Sequence, residues 1–244
     1  MAHFSIEFYP KSLARKVRCD VVIPSLNLQG CLKNQDSEYY QNRKEKFPLV
    51  IFLCGFGDNE KSWQINTKIV SLCEKHHIAA CFVNGENGWY LNRGPISDYY
   101  SFLERDLPDF LYGNFTSLSK DCPKVIAGVS MGGYGALYHY LKNPTSYSAC
   151  IALSPATKPD FIDEGPYGTL RDLFLANKET ELNIYLSIGE KDFIIEASRQ
   201  LDQFLSDNHI PASYQFIPNA DHSWTTWDAQ LNNVIDFLNQ SVFH

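Results

Sequence analysis

The chain of 244 residues has little of what marks a membrane, secreted or nucleic-acid-binding protein. No stretch reaches the roughly 18 consecutive apolar residues that a membrane span requires. The N-terminal segment MAHFSIEFYPKSLARKVRCD has no apolar run after a basic start, so it is not typical of a signal peptide. Positive charge is also scarce, since 21 Lys and Arg against 28 Asp and Glu give a net charge of −7. We therefore expect neither a membrane nor a nucleic acid as partner, because nucleic-acid binding needs a basic surface.

The cysteines show neither a disulfide framework nor a metal-binding spacing. They number seven, they are scattered along the chain, and none forms a CxxC pair. Several lie inside apolar segments such as FLCG and ACIAL, where cysteine behaves as a small hydrophobic residue. We therefore expect reduced thiols and a cytoplasmic protein.

The composition and the order of the apolar segments predict one α/β domain over residues 1–244. Hydrophobic residues make up 44% of the chain and charged residues 20%, which is typical of a globular protein with a sizeable core. Six apolar segments are continuous rather than alternating, as expected for strands covered on both faces. These segments are residues 48–55, 78–84, 124–130, 149–153, 183–189 and 213–218. Helix-like segments lie between them, which predicts a mostly parallel sheet with helices on both faces.

The remaining segments carry local predictions. FSIEFYP and KVRCDVVIP, near the N-terminus, predict an antiparallel hairpin at the sheet edge. Residues 98–115 have a helical pattern that Pro108 should start, kink or break. Residues 33–46 predict a solvated loop, and residues 155–169 an irregular segment. Two further helices are indicated by apolar residues that share a face: Ile65, Ile69, Leu72 and Cys73 in one, and Trp227, Leu231, Val234, Ile235 and Leu238 in the other.

The most informative segment is KVIAGVSMGGYGALYHYL, which contains a G-x-S-x-G pattern centred on Ser130. The pattern alone is weak, but a β-branched run precedes it and a helical stretch follows it. That setting is typical of a nucleophile elbow, a sharp turn between a strand and a helix that exposes the serine hydroxyl. Gly128 and Gly132 fit this interpretation, because a Cβ at either position would collide with the other arm of the turn. An ordinary glycine-rich turn with an incidental serine is the alternative.

A serine nucleophile needs a base, and the base needs an orienting carboxylate. In this type of fold the chain order is serine, acid, histidine. His222 follows the last predicted strand and is the histidine best placed as base, whereas the other six lie too early or at helix ends and the terminus. Asp192 ends the strand of NIYLSIGEKD and is the predicted acid, with Glu190 as the alternative. Other acids between serine and histidine are less well placed: Asp163, Glu164 and Asp221.

An oxyanion hole requires two N–H donors beside the serine. The N–H of Met131 lies at the start of the predicted helix, where backbone donors are free. The second donor in such folds comes from the loop after an early central strand, here residues 53–59. We predict the N–H of Phe56 as that donor. An ordinary glycine-rich turn with no role in the site is the alternative.

Several segments spread over nearly the whole chain resemble the esterase D group of α/β-hydrolases, and within it the tributyrin esterases. They include FLCGFGDNEKSW, ENGWY, SDYYSFLERDLPDFL, AGVSMGGYGAL, IGEKDF and DHSWTTWDAQLNNVIDFL. The resemblance places the nucleophile at Ser130, the acid at Asp192 and the base at His222. One difference is the Cys54-Gly55 pair, where the family usually has His-Gly.

The resemblance implies a serine carboxylesterase that cleaves short acyl groups from glycerides, acetylated sugars or aryl esters, with no metal or cofactor. It leaves open a thioesterase of the S-formylglutathione hydrolase type, and a feruloyl or acetyl xylan esterase. Trp89 and Trp224 lie in motif loops and are predicted near the substrate, although core packing explains them equally well. A binding protein with an inactive site on the same fold is the alternative from another class. A homo-oligomer is compatible with the sequence.

The length of the chain limits any covering of the site. Between Ser130 and Asp192 the only candidate cap is roughly residues 155–180, which is too short for a large lid. We therefore expect a small cap or none, and a shallow site that favours short acyl chains or bulky alcohols over long lipids.

Overall fold

The computed structural model describes residues 1–33, 38–159 and 170–243. Within these ranges one sheet is built from eight strands. The strands are β1 (Ala2–Phe8), β2 (Val17–Ile23), β3 (Leu49–Leu53), β4 (Ala79–Val83), β5 (Lys124–Val129), β6 (Ala149–Leu153), β7 (Ile184–Gly189) and β8 (Tyr214–Ile217). Their order across the sheet is β1-β2-β4-β3-β5-β6-β7-β8. All six apolar segments predicted as strands form strands of this sheet, with ends that agree within two residues.

The sheet is mostly parallel, with an antiparallel N-terminal hairpin at one edge. β1 pairs with β2, and β2 with β4, in antiparallel register, whereas β3 to β8 pair in parallel. The predicted α/β-hydrolase fold is confirmed, including its N-terminal hairpin. In a parallel sheet the strands all end at one edge, so the loops after β3, β5, β7 and β8 meet there.

Helices cover both faces of the sheet. They are α1 (Leu28–Lys33), α2 (Tyr39–Asn42), α3 (Ser62–Asn66), α4 (Ile69–Lys75), α5 (Tyr99–Ser101), α6 (Leu107–Asn114), α7 (Met131–Lys142), α8 (Leu170–Ala176), α9 (Ile195–Asp207) and α10 (Trp224–Ser241). Side chains of β3 alternate between two core layers, with Leu49, Ile51 and Leu53 on the face of α7 to α9. Val50 and Phe52 lie on the face of α3, α4 and α10.

Two local predictions need correction. Residues 62–75 form two helices rather than one, because Thr67 is extended (φ −139°, ψ 165°), and Ile65 is consequently exposed. The predicted loop 33–46 contains the short helix α2. Of the three effects predicted for Pro108, the structure shows the first: Pro108 lies in the first turn of α6, which is preceded by a π-helical segment, Phe102–Asp106. The wider turn fits the proline, because Pro108 has no N–H to donate to the carbonyl four residues earlier.

One predicted segment lies partly outside the described residues, and the helices were also compared with the requirements of a membrane span. Of the predicted irregular segment 155–169, residues 160–169, which include Asp163 and Glu164, lie outside the described residues. In the part of the chain that the structure describes, no helix combines the length and the apolar character needed to cross a bilayer.

Candidate active site

Ser130 occupies the sharp turn between β5 and α7. Its backbone has φ 53° and ψ −117°, a region that side-chain-bearing residues rarely adopt. Its N–H donates to the carbonyl of Leu153 at 3.0 Å, which ties the turn to the neighbouring strand β6. A Cβ on Gly128 would lie 2.1 Å from the carbonyl oxygen of Gly132, and a Cβ on Gly132 would lie 2.4 Å from that of Leu53. The close approach predicted within the turn is confirmed for Gly128, whereas Gly132 lies against the end of β3 rather than against the other arm of the turn.

The structure brings Ser130, His222 and Asp192 together in one hydrogen-bonded row. His222 Nε2 lies 3.0 Å from Ser130 Oγ, and its Nδ1 lies 2.7 Å from Asp192 Oδ2. The Asp192 side chain is fully buried, and its second oxygen accepts the N–H of Ile194 at 3.0 Å. The imidazole keeps a small exposed surface. This arrangement allows His222 to take the serine proton while Asp192 orients the ring.

The loops that carry the acid and the base are bound to each other by their backbones. The N–H of Glu190 donates to Ile217 O at 3.0 Å, and the N–H of Lys191 donates to Ala220 O at 2.9 Å. A Cβ on Gly189 would lie 2.3 Å from Ala220 O, so only glycine permits this approach. These contacts set the position of Asp192 relative to His222.

Of the alternative acids, Glu190 and Asp221 lie in the described residues, and neither is hydrogen-bonded to His222. Glu190 is exposed, and the imidazole of His222 contacts Asp192 instead. Asp221 accepts hydrogen bonds from the hydroxyls of Ser223 and Thr226, which lower the pKa of its carboxyl. Asp221 therefore helps to start α10 rather than serving as the acid.

Two aromatic rings beside His222 were not predicted. The Phe193 ring lies 4.5 Å from the imidazole centroid and is 79% exposed, whereas the buried Trp227 ring meets the imidazole edge-on at 5.1 Å. Trp227 also donates its indole N–H to Ser154 Oγ at 3.1 Å. The sequence signal for Phe193 is its place next to Asp192, and that for Trp227 is the W-x-x-W spacing after His222.

The two predicted oxyanion donors belong to two segments that meet at Ser130, the start of α7 and the loop after β3. Met131 is the first residue of α7, and its side chain is buried. Phe56 follows Gly55, where a Cβ would lie 3.6 Å from the Ser130 Cβ. Within the described residues neither amide N–H donates a hydrogen bond, so both are available to a substrate oxygen. The Phe56 side chain itself is exposed to solvent.

Tyr90 holds the base of the Phe56 loop, a role that sequence reasoning missed. Its hydroxyl accepts the N–H of Cys54 at 2.9 Å and donates to the Cys54 carbonyl at 3.1 Å. The ring fills a slot between two glycines, because a Cβ on Gly85 or Gly135 would lie within 2.4 Å or 2.6 Å of it. Burial raises the pKa of the Tyr90 phenol and that of the Cys54 thiol. Cys54 is thus a buried packing residue next to the site.

The two tryptophans predicted near the substrate occupy different environments. Trp224 is half-buried and packs edge-on against Trp63 at 5.3 Å and Trp227 at 5.0 Å. Trp89 is only 6% exposed and packs edge-on against Tyr134 at 5.6 Å. Trp224 therefore has surface to offer a ligand, and Trp89 has little.

Comparison with known proteins places this chain in a family. The family described as "Putative esterase" matches residues 36–238. The chain belongs to this esterase family. It is accordingly a carboxylic ester hydrolase.

Individual relatives of this esterase cover nearly the whole chain. An acetyl esterase from Caldicellulosiruptor saccharolyticus is 25% identical, over 98% of this chain and 99% of its own length. An S-formylglutathione hydrolase from Staphylococcus aureus shares the fold with a TM-score of 0.81, at 19% identity over 97% of this chain and 98% of that one. A ferulic acid esterase from Anaeromyces mucronatus shares it with a TM-score of 0.69, at 17% identity over 95% and 88%.

Proposed function

We propose that this esterase is a serine esterase that hydrolyses short-chain acyl esters through Ser130, His222 and Asp192. The observation that carries the proposal is the continuous row of hydrogen bonds from the buried Asp192 carboxylate through the imidazole to Ser130 Oγ. The exposed edge of the ring and the half-buried serine leave this row accessible to a substrate.

The proposed reaction has two stages. His222 removes the proton from Ser130 Oγ while that oxygen attacks the ester carbonyl, and the N–H groups of Phe56 and Met131 hold the resulting oxyanion. The imidazolium, oriented by Asp192, then protonates the departing alcohol and leaves an acyl-enzyme. A water molecule, deprotonated by His222, attacks the acyl group, and the imidazolium returns that proton to Ser130 Oγ as the acid departs.

The assignment is tested with Ser130→Ala, using Ser206→Ala at an exposed serine of α9 as the matched control. We expect the first variant to lose about three orders of magnitude or more in kcat on p-nitrophenyl acetate and to lose labelling by a fluorophosphonate probe. The control should match the wild type in both assays. Near-full activity or labelling of a folded Ser130→Ala protein would rule out the assignment.

We propose glycerides such as tributyrin and small acetyl or aryl esters as substrates. The acetyl esterase relative supports a short acyl group. The exposed rings of Phe56, next to Gly55, and of Phe193, beside His222, support an apolar rim for the site, and we propose that Trp224 lines the substrate pocket and that Trp89 lies near it. A panel of acetyl, butyryl, octanoyl and feruloyl esters tests this, and a strong preference for long-chain triglyceride emulsions over tributyrin would contradict it.

A thioesterase of the S-formylglutathione hydrolase type is the second candidate, because the same three residues serve ester and thioester chemistry. The values of kcat/KM for S-formylglutathione and p-nitrophenyl butyrate, measured side by side, distinguish the two. We further propose that residues 1–244 form a single domain, since every described strand belongs to one sheet. Seven free cysteines support a cytoplasmic location.

A further inference from the structure

Asp58 is an acidic residue next to the proposed nucleophile. A Cβ built on Gly55 would lie 3.3 Å from Asp58 Oδ2 and 3.6 Å from the Ser130 Cβ, so the carboxylate and the serine flank the same small space. Asp58 belongs to the loop that supplies the Phe56 N–H, and its side chain is half-buried. A charged group on a substrate bound at Ser130 would therefore come within several ångströms of this carboxylate.

The side chains that act on the Asp58 carboxylate are neutral rather than basic. Burial, the largest effect, raises the pKa of Asp58, and the polar hydrogens of Ser62 and Trp224 oppose that change. An indole N–H can only donate, so Trp224 favours the charged form of a neighbouring carboxylate. The negative charge of Asp58 is therefore met by neutral dipoles and not by a cation.

The first two basic residues that follow Asp58 in the chain are bound to other acids. Lys61 binds the carboxylate of Asp20, and Lys68 binds that of Asp228. Among the ion pairs of the described residues, none involves Asp58. No basic side chain therefore compensates the charge of Asp58. The electric field of its carboxylate acts on a substrate bound beside Ser130.

We propose that Asp58 selects esters by charge, so that the enzyme favours cationic and neutral substrates over anionic ones. This inference rests on the proposed function at Ser130. It assigns to the enzyme the class of esters whose alcohol part carries no negative charge. It also makes S-formylglutathione a poor substrate, because that thioester carries two carboxylates and one ammonium group.

The test compares three aryl acetates that differ in the charge of the para group: 4-acetoxybenzoate, its methyl ester, and 4-acetoxy-N,N,N-trimethylanilinium. The values of kcat/KM are measured at low ionic strength for the wild type and for Asp58→Asn, which keeps the shape and the acceptor oxygen. Comparing the variant with the wild type cancels the intrinsic reactivity of each ester. The matched control is Asp109→Asn. Asp109 is an exposed residue of α6 and lines a cavity with Lys124 and Asn183, at the edge of the sheet where the parallel strands begin. It changes the net charge of the protein by the same amount.

We expect Asp58→Asn to raise kcat/KM for the anionic ester about fivefold relative to the neutral one, and to lower it for the cationic ester by a similar factor. This is the size expected for unit charges about 8 Å apart in a medium between protein and water. Added salt should reduce both changes, and Asp109→Asn should show neither. If Asp58→Asn does not fold, Asp58→Ser removes the same charge.

Two results would overturn the inference. One is an unchanged ratio among the three esters in a folded Asp58 variant, and the other is an equal loss on all three, which would make Asp58 a structural residue of the loop. Failure of the proposed function has a different signature, namely a Ser130→Ala protein that still hydrolyses the neutral ester.

Discussion

The hydroxyl of Tyr90 is the most informative single group to remove. Tyr90→Phe keeps the ring that fills the slot between Gly85 and Gly135, and deletes only the oxygen that binds the N–H and the carbonyl of Cys54. Both Cys54 groups are buried, so no water can replace the lost partner without opening the loop. The change therefore isolates the contribution of these hydrogen bonds.

The expected loss follows from the two groups left unsatisfied. Each buried polar group without a partner costs about 1–3 kcal/mol, so we expect Tyr90→Phe, which leaves two such groups, to lower the free energy of unfolding by about 2–6 kcal/mol. For a protein of this size each kcal/mol corresponds to a Tm lower by about 2–4 °C. Because Phe56 follows two residues after Cys54, we also expect kcat to fall about tenfold or more with KM little changed.

The measurement uses urea denaturation together with steady-state kinetics on a short-chain ester. Tyr99→Phe is the matched control, because the Tyr99 hydroxyl also lies in a mostly buried ring cluster but accepts from Arg15 instead of the oxyanion loop. We expect the control to lose at most about 1 kcal/mol and no kcat. Equal stability and equal kcat for the two variants would refute the reasoning about the Cys54 loop.

Three further predictions concern other parts of the molecule. Asp192→Asn should lower kcat by about four orders of magnitude while circular dichroism shows an intact fold; a loss under tenfold would contradict its role. Burial alone would raise the pKa of Asp20, but hydrogen bonds led by Lys61 hold it below its ordinary value of 3.8. Its carboxylate therefore stabilises the fold above that pH, so the stability lost in Asp20→Asn should shrink as pH falls from about 3.8 and should not shrink between pH 6 and 8. Iodoacetamide at neutral pH should modify the exposed Cys31 and leave both Cys54 and activity intact, as read by peptide mass analysis.

The parts of the fold that were predictable are those that a local pattern determines. The segments LVIFL and ACIAL are apolar at every position and short, as expected for strands covered on both faces of a sheet. The three candidate site residues were likewise predictable, because Ser130, Asp192 and His222 occur in the expected chain order and each follows the end of a predicted strand. The structure then brings them together at the common edge of the parallel sheet.

The unpredicted features depend on contacts between segments distant in the chain. Tyr90 has a left-handed backbone (φ 59°) and reaches Cys54 across the sheet edge, which no spacing along the chain reveals. The approach of Asp58 to Trp224 joins a loop after β3 to the start of α10. The break at Thr67 also escaped prediction, because Ile65 fits the apolar periodicity of a longer helix although the structure exposes it.

The backbone of Ser130 has a consequence for the evolution of this esterase. A non-glycine residue in such a conformation costs about 1–3 kcal/mol, and glycine at the same position would not. Ser130→Gly should thus melt several degrees above the wild type while hydrolysing nothing. Thermal stability and turnover therefore oppose each other at this one residue, so selection for thermal stability alone would remove the proposed nucleophile.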